Sequence, residues 1–165
     1  MNKRINIGDK EKAIEDIRQF GQKSYQAVDI EFFNVHLKEL NDVCGKKTFD
    51  KNNLYVRSST LWELMQPEGY KKTHNFHGLS AEIIYEAIKG SLTPFSVFSS
   101  HDSRIVIITL VENLRHEKIQ LIIELHASLE NERSANINKL VSIYPKKNVE
   151  NELKKINEKD VLFIK

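Results

Sequence analysis

The 165-residue chain has one cysteine, three prolines and six glycines, and it has no apolar run long enough to cross a bilayer as a helix. A lone cysteine, Cys44, excludes an internal disulfide and a cysteine-built zinc site; set in an apolar periodic run, it reads as a buried thiol. An excess of one charge is missing too. The 25 Lys and Arg stand against 23 Asp and Glu, so no global field marks a polyanionic partner, and nucleic-acid binding needs a local patch. No hydrophobic block follows the basic start, and the chain reads as soluble and suited to the cytosol. Glycine-rich phosphate loops, nucleophile elbows, HExxH and paired CxxC motifs are all lacking, which leaves nucleotide hydrolysis, serine-hydrolase and zinc chemistry without support. At this length one domain, 1–165, with one core is expected.

What is present centres on the stretch 73–94, THNFHGLSAEIIYEAIKGSLTP. Ser80 can accept from the open amides of a first helical turn, Glu82 suits the positive dipole end, and Leu79 can staple to Ile84. Leu79, Ile83, Ile84, Ala87 and Ile88 recur at helical spacing, and Gly90 suits a left-handed stop. His74 and His77 therefore sit on a turn at the mouth of a helix. The preceding segment is locally basic, with Lys46, Lys47, Lys51, Arg57, Lys71 and Lys72 against Asp50, Glu63 and Glu68.

Upstream, Ala13, Ile14, Ile17 and Phe20 give an amphipathic helix over 10–20 within an N-terminal helical extension, 1–26. An extended start at Val28, Ile30 and Phe32 leads into a helix ending at Gly45, followed by a short strand around Leu54 and Val56 and a helical turn with Leu61, Leu64 and Met65. Downstream the pattern turns to strand. Runs at 95–99, 104–110 and 119–126 suit an antiparallel meander, the middle one apolar on both faces. In the third, Gln120, Ile122, Glu124 and His126 form the mixed face. A fourth run, 138–144, puts Asn138, Leu140, Ser142 and Tyr144 on one face and stops at Pro145; a lysine-rich helix over 149–157 and a last strand over 161–164 close the chain. Helices first and sheet second predict an α+β fold with a mostly antiparallel sheet of four to five strands and a short helix before the last strand.

From about residue 27 onward, the pieces VDIEFF, HGLSAEIIYEAI, LTPFSVFSS, RIVIITL, IQLIIEL, NINKLVSIY and VLFIK resemble, in order and spacing, the phage MuF C-terminal domain group. That group is placed with the barnase, EndoU, colicin and RelE-like (BECR) nucleases, so the resemblance implies a barnase/RelE-like fold over 27–165. It also implies a ribonuclease that needs no metal or other cofactor and acts as a toxin in the cytoplasm, delivered there within a larger protein, with an immunity protein as partner. The family histidine falls on His77, with His74 as its neighbour, the strand threonine on Thr109, and the late motif on Asn138, Ser142 and Tyr144.

The chemistry behind that expectation is proton transfer at a phosphodiester. Histidine suits it, because its ordinary pKa of about 6.5 lies near neutrality. His77 is expected as general acid or base, Glu124 or His126 in the opposite role, and Ser142, Tyr144 and Asn138 as phosphate donors. Lys139 or Lys72 adds charge, and Thr109 closes the central strand. Two readings from other classes remain: a non-catalytic phage adaptor module, and an NAD-dependent ADP-ribosyltransferase built on Arg57-Ser58-Ser59-Thr60 and Glu124.

Overall fold

In the computed structural model, which describes residues 3–22, 28–67, 77–101, 103–129 and 132–165, every strand belongs to one sheet. Among the described residues these are β1 (Lys3–Asn6), β2 (Asp29–Phe33), β3 (Leu54–Arg57), β4 (Pro94–Ser100), β5 (Arg104–Glu112), β6 (Lys118–Leu129), β7 (Glu132–Lys146) and β8 (Val161–Ile164). Their order is β1-β2-β3-β7-β6-β5-β4-β8. The meander from β4 to β7 is antiparallel, but β1 runs parallel to β2 and β3 parallel to β7.

Among the described residues an eight-stranded mixed sheet with five helices overturns the expected four- to five-stranded, mostly antiparallel barnase/RelE-like fold. The reason is that local alternation marks a strand but not its neighbour. Parallel pairs join distant stretches through crossovers, and nothing in the period of 54–57 points to Lys139. β1 is also hard to see, since its four residues contribute one fully buried apolar side chain, Ile5.

The main core lies where α1 (Lys10–Phe20), α3 (Ser58–Met65) and α4 (Ala81–Gly90) cover one face of the sheet. Asp9 caps α1 by accepting from the Lys12 amide at 3.4 Å, and Ser80 caps α4 by accepting from the Ile83 amide at 3.2 Å. Between these two helices Ala13 and Ile17 meet the apolar face of α4, flanked by Arg18–Glu82 at 2.6 Å and Lys10–Glu86 at 3.1 Å. The apolar seam dominates: a fully buried Ile contributes about 1.5–3 kcal/mol, an exposed ion pair at most about 1. Tyr85 donates from its hydroxyl to the Ile7 carbonyl at 3.1 Å and so ties α4 to the end of β1.

Gly90 departs from the expected left-handed stop: it is the last residue of α4, followed by Ser91 in right-handed geometry. Its lack of a side chain serves packing instead, because a Cβ there would lie 2.8 Å from Cγ2 of Val111. The helix expected to end at Gly45 is short, α2 (Glu39–Cys44), and does end on Gly45 at φ 69°.

On the other face of the sheet Val106 and Ile108 are buried, and α5 (Val149–Lys155) returns close to that face through Lys146–Glu152 at 3.6 Å. β7 carries a bulge. Ile122 pairs with Ser142 but Ile123 with Leu140, so Val141 is an extra residue. Leu140 and Ile143 therefore enter the main core while Ser142 and Tyr144 turn to the other side, and the single face expected for Asn138, Leu140, Ser142 and Tyr144 is broken. Pro145 does not end the strand but pairs with Ile119. Beyond Lys139 the outer side of β7 has no strand partner among the described residues, so a residue without an N–H breaks no ladder there.

Candidate functional site

His77 reaches the open edge of β7 on a braced loop. The amide of Gly78 donates to the Gln66 carbonyl at 2.6 Å and that of Leu79 to the Leu64 carbonyl at 2.9 Å, which fixes the loop to the end of α3. Gly78 makes the bend at φ 61°, a backbone region that costs glycine nothing. From this mount the imidazole stacks on the Tyr144 ring, with centroids 5.4 Å apart and planes 28° from parallel. Nε2 of His77 is enclosed by protein, while the residue itself is half-buried and lines a cleft of about 610 Å³.

Tyr144 is held from below by Gln120, its cross-strand partner, whose Nε2 donates to the phenol oxygen at 2.6 Å. That leaves the phenolic hydrogen to donate outward. Burial pushes the Tyr144 pKa above its ordinary value, the Glu152 carboxylate adds to the rise and the Gln120 hydrogen bond opposes it. The group is thus a neutral donor near neutral pH.

The opposite wall of the cleft is the turn from β5 to β6. Asn113 organises it: Oδ1 accepts from the amides of Arg115 at 3.0 Å and Glu117 at 2.9 Å, and Nδ2 donates to Glu117 Oε1 at 2.9 Å. Leu114, Arg115 and Glu117 line the cleft, with Lys147 beyond the end of β7. Neither Arg115 nor Lys147 has an ion-pair partner among the described residues. Lys118, by contrast, is committed to Glu112 at 3.0 Å, and with His116 it holds that carboxyl below the usual range.

Of the residues expected from sequence, the structure brings together His77 and Tyr144. Ser142 shares the Tyr144 face two residues away but is 5% exposed. Glu124 pairs with Lys139 and lies four residues along β6 from Gln120, roughly 13 Å at strand rise. His126 is near Asn136, 3.0 Å away, and Asp50, 4.0 Å away. Asn138 donates through Nδ2 to the carbonyls of Lys51 and Asn53, both at 2.8 Å, and pins β7 to the loop before β3. Lys139 pairs with Asp29 of β2 at 3.7 Å. Thr109 is fully buried and donates to the Ile119 carbonyl at 2.8 Å, holding the irregular stretch of β5 against β6. His74 and Lys72 lie outside the described residues.

Sequence reasoning missed Gln120, Arg115, Glu117 and Lys147. A signal was present for one of them, since Asn113 followed by Glu117 marks a side-chain-closed turn. No group of three or more His, Cys, Asp or Glu able to hold a metal ion occurs among the described residues, and among them no helix is long and apolar enough to cross a membrane.

Compared with known protein families, residues 69–165 match the phage MuF C-terminal domain. The match covers more than half of the chain and contains His77, Tyr144 and the whole cleft; the stretch 28–33, part of the resemblance read from sequence, lies before it. Neither the curated proteins nor the solved structures gave a match.

Proposed function

The chain belongs to the phage MuF C-terminal domain family, and on that premise we propose that it is an endoribonuclease that cleaves RNA without a metal, through attack of the ribose 2′-OH on the adjacent phosphate. The observation that carries this reading is the His77–Tyr144 stack at the wall of a cleft that also holds a carboxylate, Glu117, and two cations, Arg115 and Lys147.

In this scheme Glu117 takes the 2′-OH proton through the oxygen that Asn113 leaves open. The 2′ oxygen bonds to phosphorus as the bond to the 5′ oxygen breaks, and protonated His77 delivers a proton to that leaving oxygen. We assign the transfer to the His77 imidazole, which lines the cleft. Arg115, Lys147 and the Tyr144 hydroxyl meet the negative charge that builds on the phosphoryl oxygens. A 2′,3′-cyclic phosphate and a free 5′-OH are the products. Glu117 takes the role that sequence reasoning gave to Glu124 or His126, because it is the carboxylate lining the cleft. Toxin action on RNA in the cytoplasm, held in check by an immunity protein in the producing cell, belongs to the same proposal and draws on the family resemblance.

The test is incubation with total RNA and matched DNA in excess chelator, comparing wild type with His77→Ala. RNA breakdown that survives chelation, spares DNA and disappears in the variant supports the proposal. RNA left intact at every protein concentration overturns it in favour of a binding module.

A further inference from the structure

The cleft beside His77 does not end at Arg115. A second cleft of about 620 Å³, floored by Phe95 and closed by the start of α5, shares Arg115, Glu117 and Lys147 with the first. The shared residues set the two clefts side by side. Arg115 and Lys147 are exposed at the junction, and Lys146 and Lys118 line the second cleft with partly covered charges. Phe95 is half-buried and carries the Lys118 ammonium 5.0 Å from its ring centre. One aromatic ring pair therefore stands at one end, another ring at the other, and between them two cations that have no ion-pair partner among the described residues.

We propose that the two clefts form one groove for a single-stranded RNA segment, which crosses Arg115 and Lys147 with its phosphates and places one nucleotide at His77 and Tyr144 and another, beyond its immediate neighbour, over Phe95. Aromatic platforms spaced along a cationic path are what unpaired strands use, since every base has a face to stack and every step a phosphate to neutralise. The inference rests on the ribonuclease reading and gives its substrate class: unpaired RNA spanning more than one nucleotide on either side of the cut.

Binding separates the two ideas. The probe is a fluorescein-labelled hexauridylate with 2′-O-methyl riboses, which cannot be cut, read by anisotropy against the matching dinucleotide and a short duplex. Wild type is expected to bind the hexamer at least about 10-fold tighter than the dinucleotide or the duplex. Arg115→Gln/Lys147→Gln is expected to lose that gain and to lower the slope of log K against log salt by about 1.4, roughly 0.7 per single-strand phosphate contact. Phe95→Leu is expected to weaken the hexamer and leave the dinucleotide unchanged, while Lys3→Gln/Lys38→Gln, remote from the groove, binds as wild type. A hexamer no tighter than the dinucleotide, duplex bound equally well, or a double variant indistinguishable from wild type overturns the groove even where RNA is cleaved. Tight hexamer binding without any RNA cleavage leaves the groove standing and removes the ribonuclease reading alone.

Discussion

The imidazole of His77 lies 5.4 Å from the phenol ring of Tyr144, nearly parallel to it, and joins a loop anchored on α3 to the exposed edge of β7. A histidine so seated has its Nε2 edge enclosed by protein. His77→Gln is expected to lower the single-turnover rate of RNA cleavage by about 10²- to 10⁴-fold, the range of a lost proton-transfer group, and Tyr144→Phe by about 10²-fold, as for a lost oxyanion donor. Near-ultraviolet dichroism should show both variants folded. Rates equal to wild type in both would place the chemistry elsewhere.

The two candidate carboxylates give opposite expectations. Glu117 lines the cleft and is oriented by Asn113, whereas Glu124 faces Lys139 farther along the sheet. Cleavage by Glu117→Gln is expected to fall by about 10²-fold or more, with Glu124→Gln close to wild type. The reverse ranking, measured on one RNA substrate at one pH, would restore Glu124 to the base position.

The phenol of Tyr144 makes a prediction at high pH. Its folded pKa is raised, burial first and Glu152 second, so the folded chain keeps a proton that the unfolded chain loses near its ordinary value of about 10. Stability from this group is complete below that value and is lost as pH rises through the folded pKa. Denaturant melts of Tyr144→Phe should lack that part of the alkaline loss, and phenolate absorbance should lose a late-titrating component. Tyr55 is raised as well, by burial and Glu31, so Tyr55→Phe is the control that leaves the Tyr144 component in place.

Asn138 and Thr109 should separate stability from activity. Asn138→Leu leaves two carbonyls at the loop before β3 without their donor, and Thr109→Val leaves the Ile119 carbonyl without its own. Each is expected to cost about 1–3 kcal/mol in denaturant melts, with cleavage per folded molecule unchanged. A loss of turnover at full stability would bring either residue back into the site.

Gly90→Ala sets helix propensity against space. At this last residue of α4 alanine gains at most about 1 kcal/mol over glycine, but its methyl would meet Val111 Cγ2 at 2.8 Å, and overpacking costs about 1–3 kcal/mol. A net loss is expected, restored by Gly90→Ala/Val111→Ala. Stabilisation by the single change would show that β5 yields easily.

Local features were legible in the sequence where neighbours along the chain decide them. The Ser80 cap, the apolar faces of α1 and α4 and the two-sided burial of β5 all follow from spacing within a dozen residues. Partners from far along the chain were not. Nothing in the period of 138–144 announces that Val141 bulges out, and that one extra residue sends Tyr144 to the face away from Leu140. The same holds for the site: His77 stood out because a histidine before a capped helix is conspicuous, whereas Gln120 and Glu117 acquire meaning only through cross-strand register and turn closure, which are three-dimensional facts.

Asn113 closes its turn entirely with its own side chain and backbone. Leu114 and Arg115 are consequently carried at the tip without their side chains being spent on building it, and Leu114 is wholly exposed. The turn is in effect a detachable nib. Exchanging those two side chains changes the cleft wall while β5, β6 and the hook at Asn113 stay as they are, so the proposed recognition is free to drift independently of the fold that holds His77 against Tyr144.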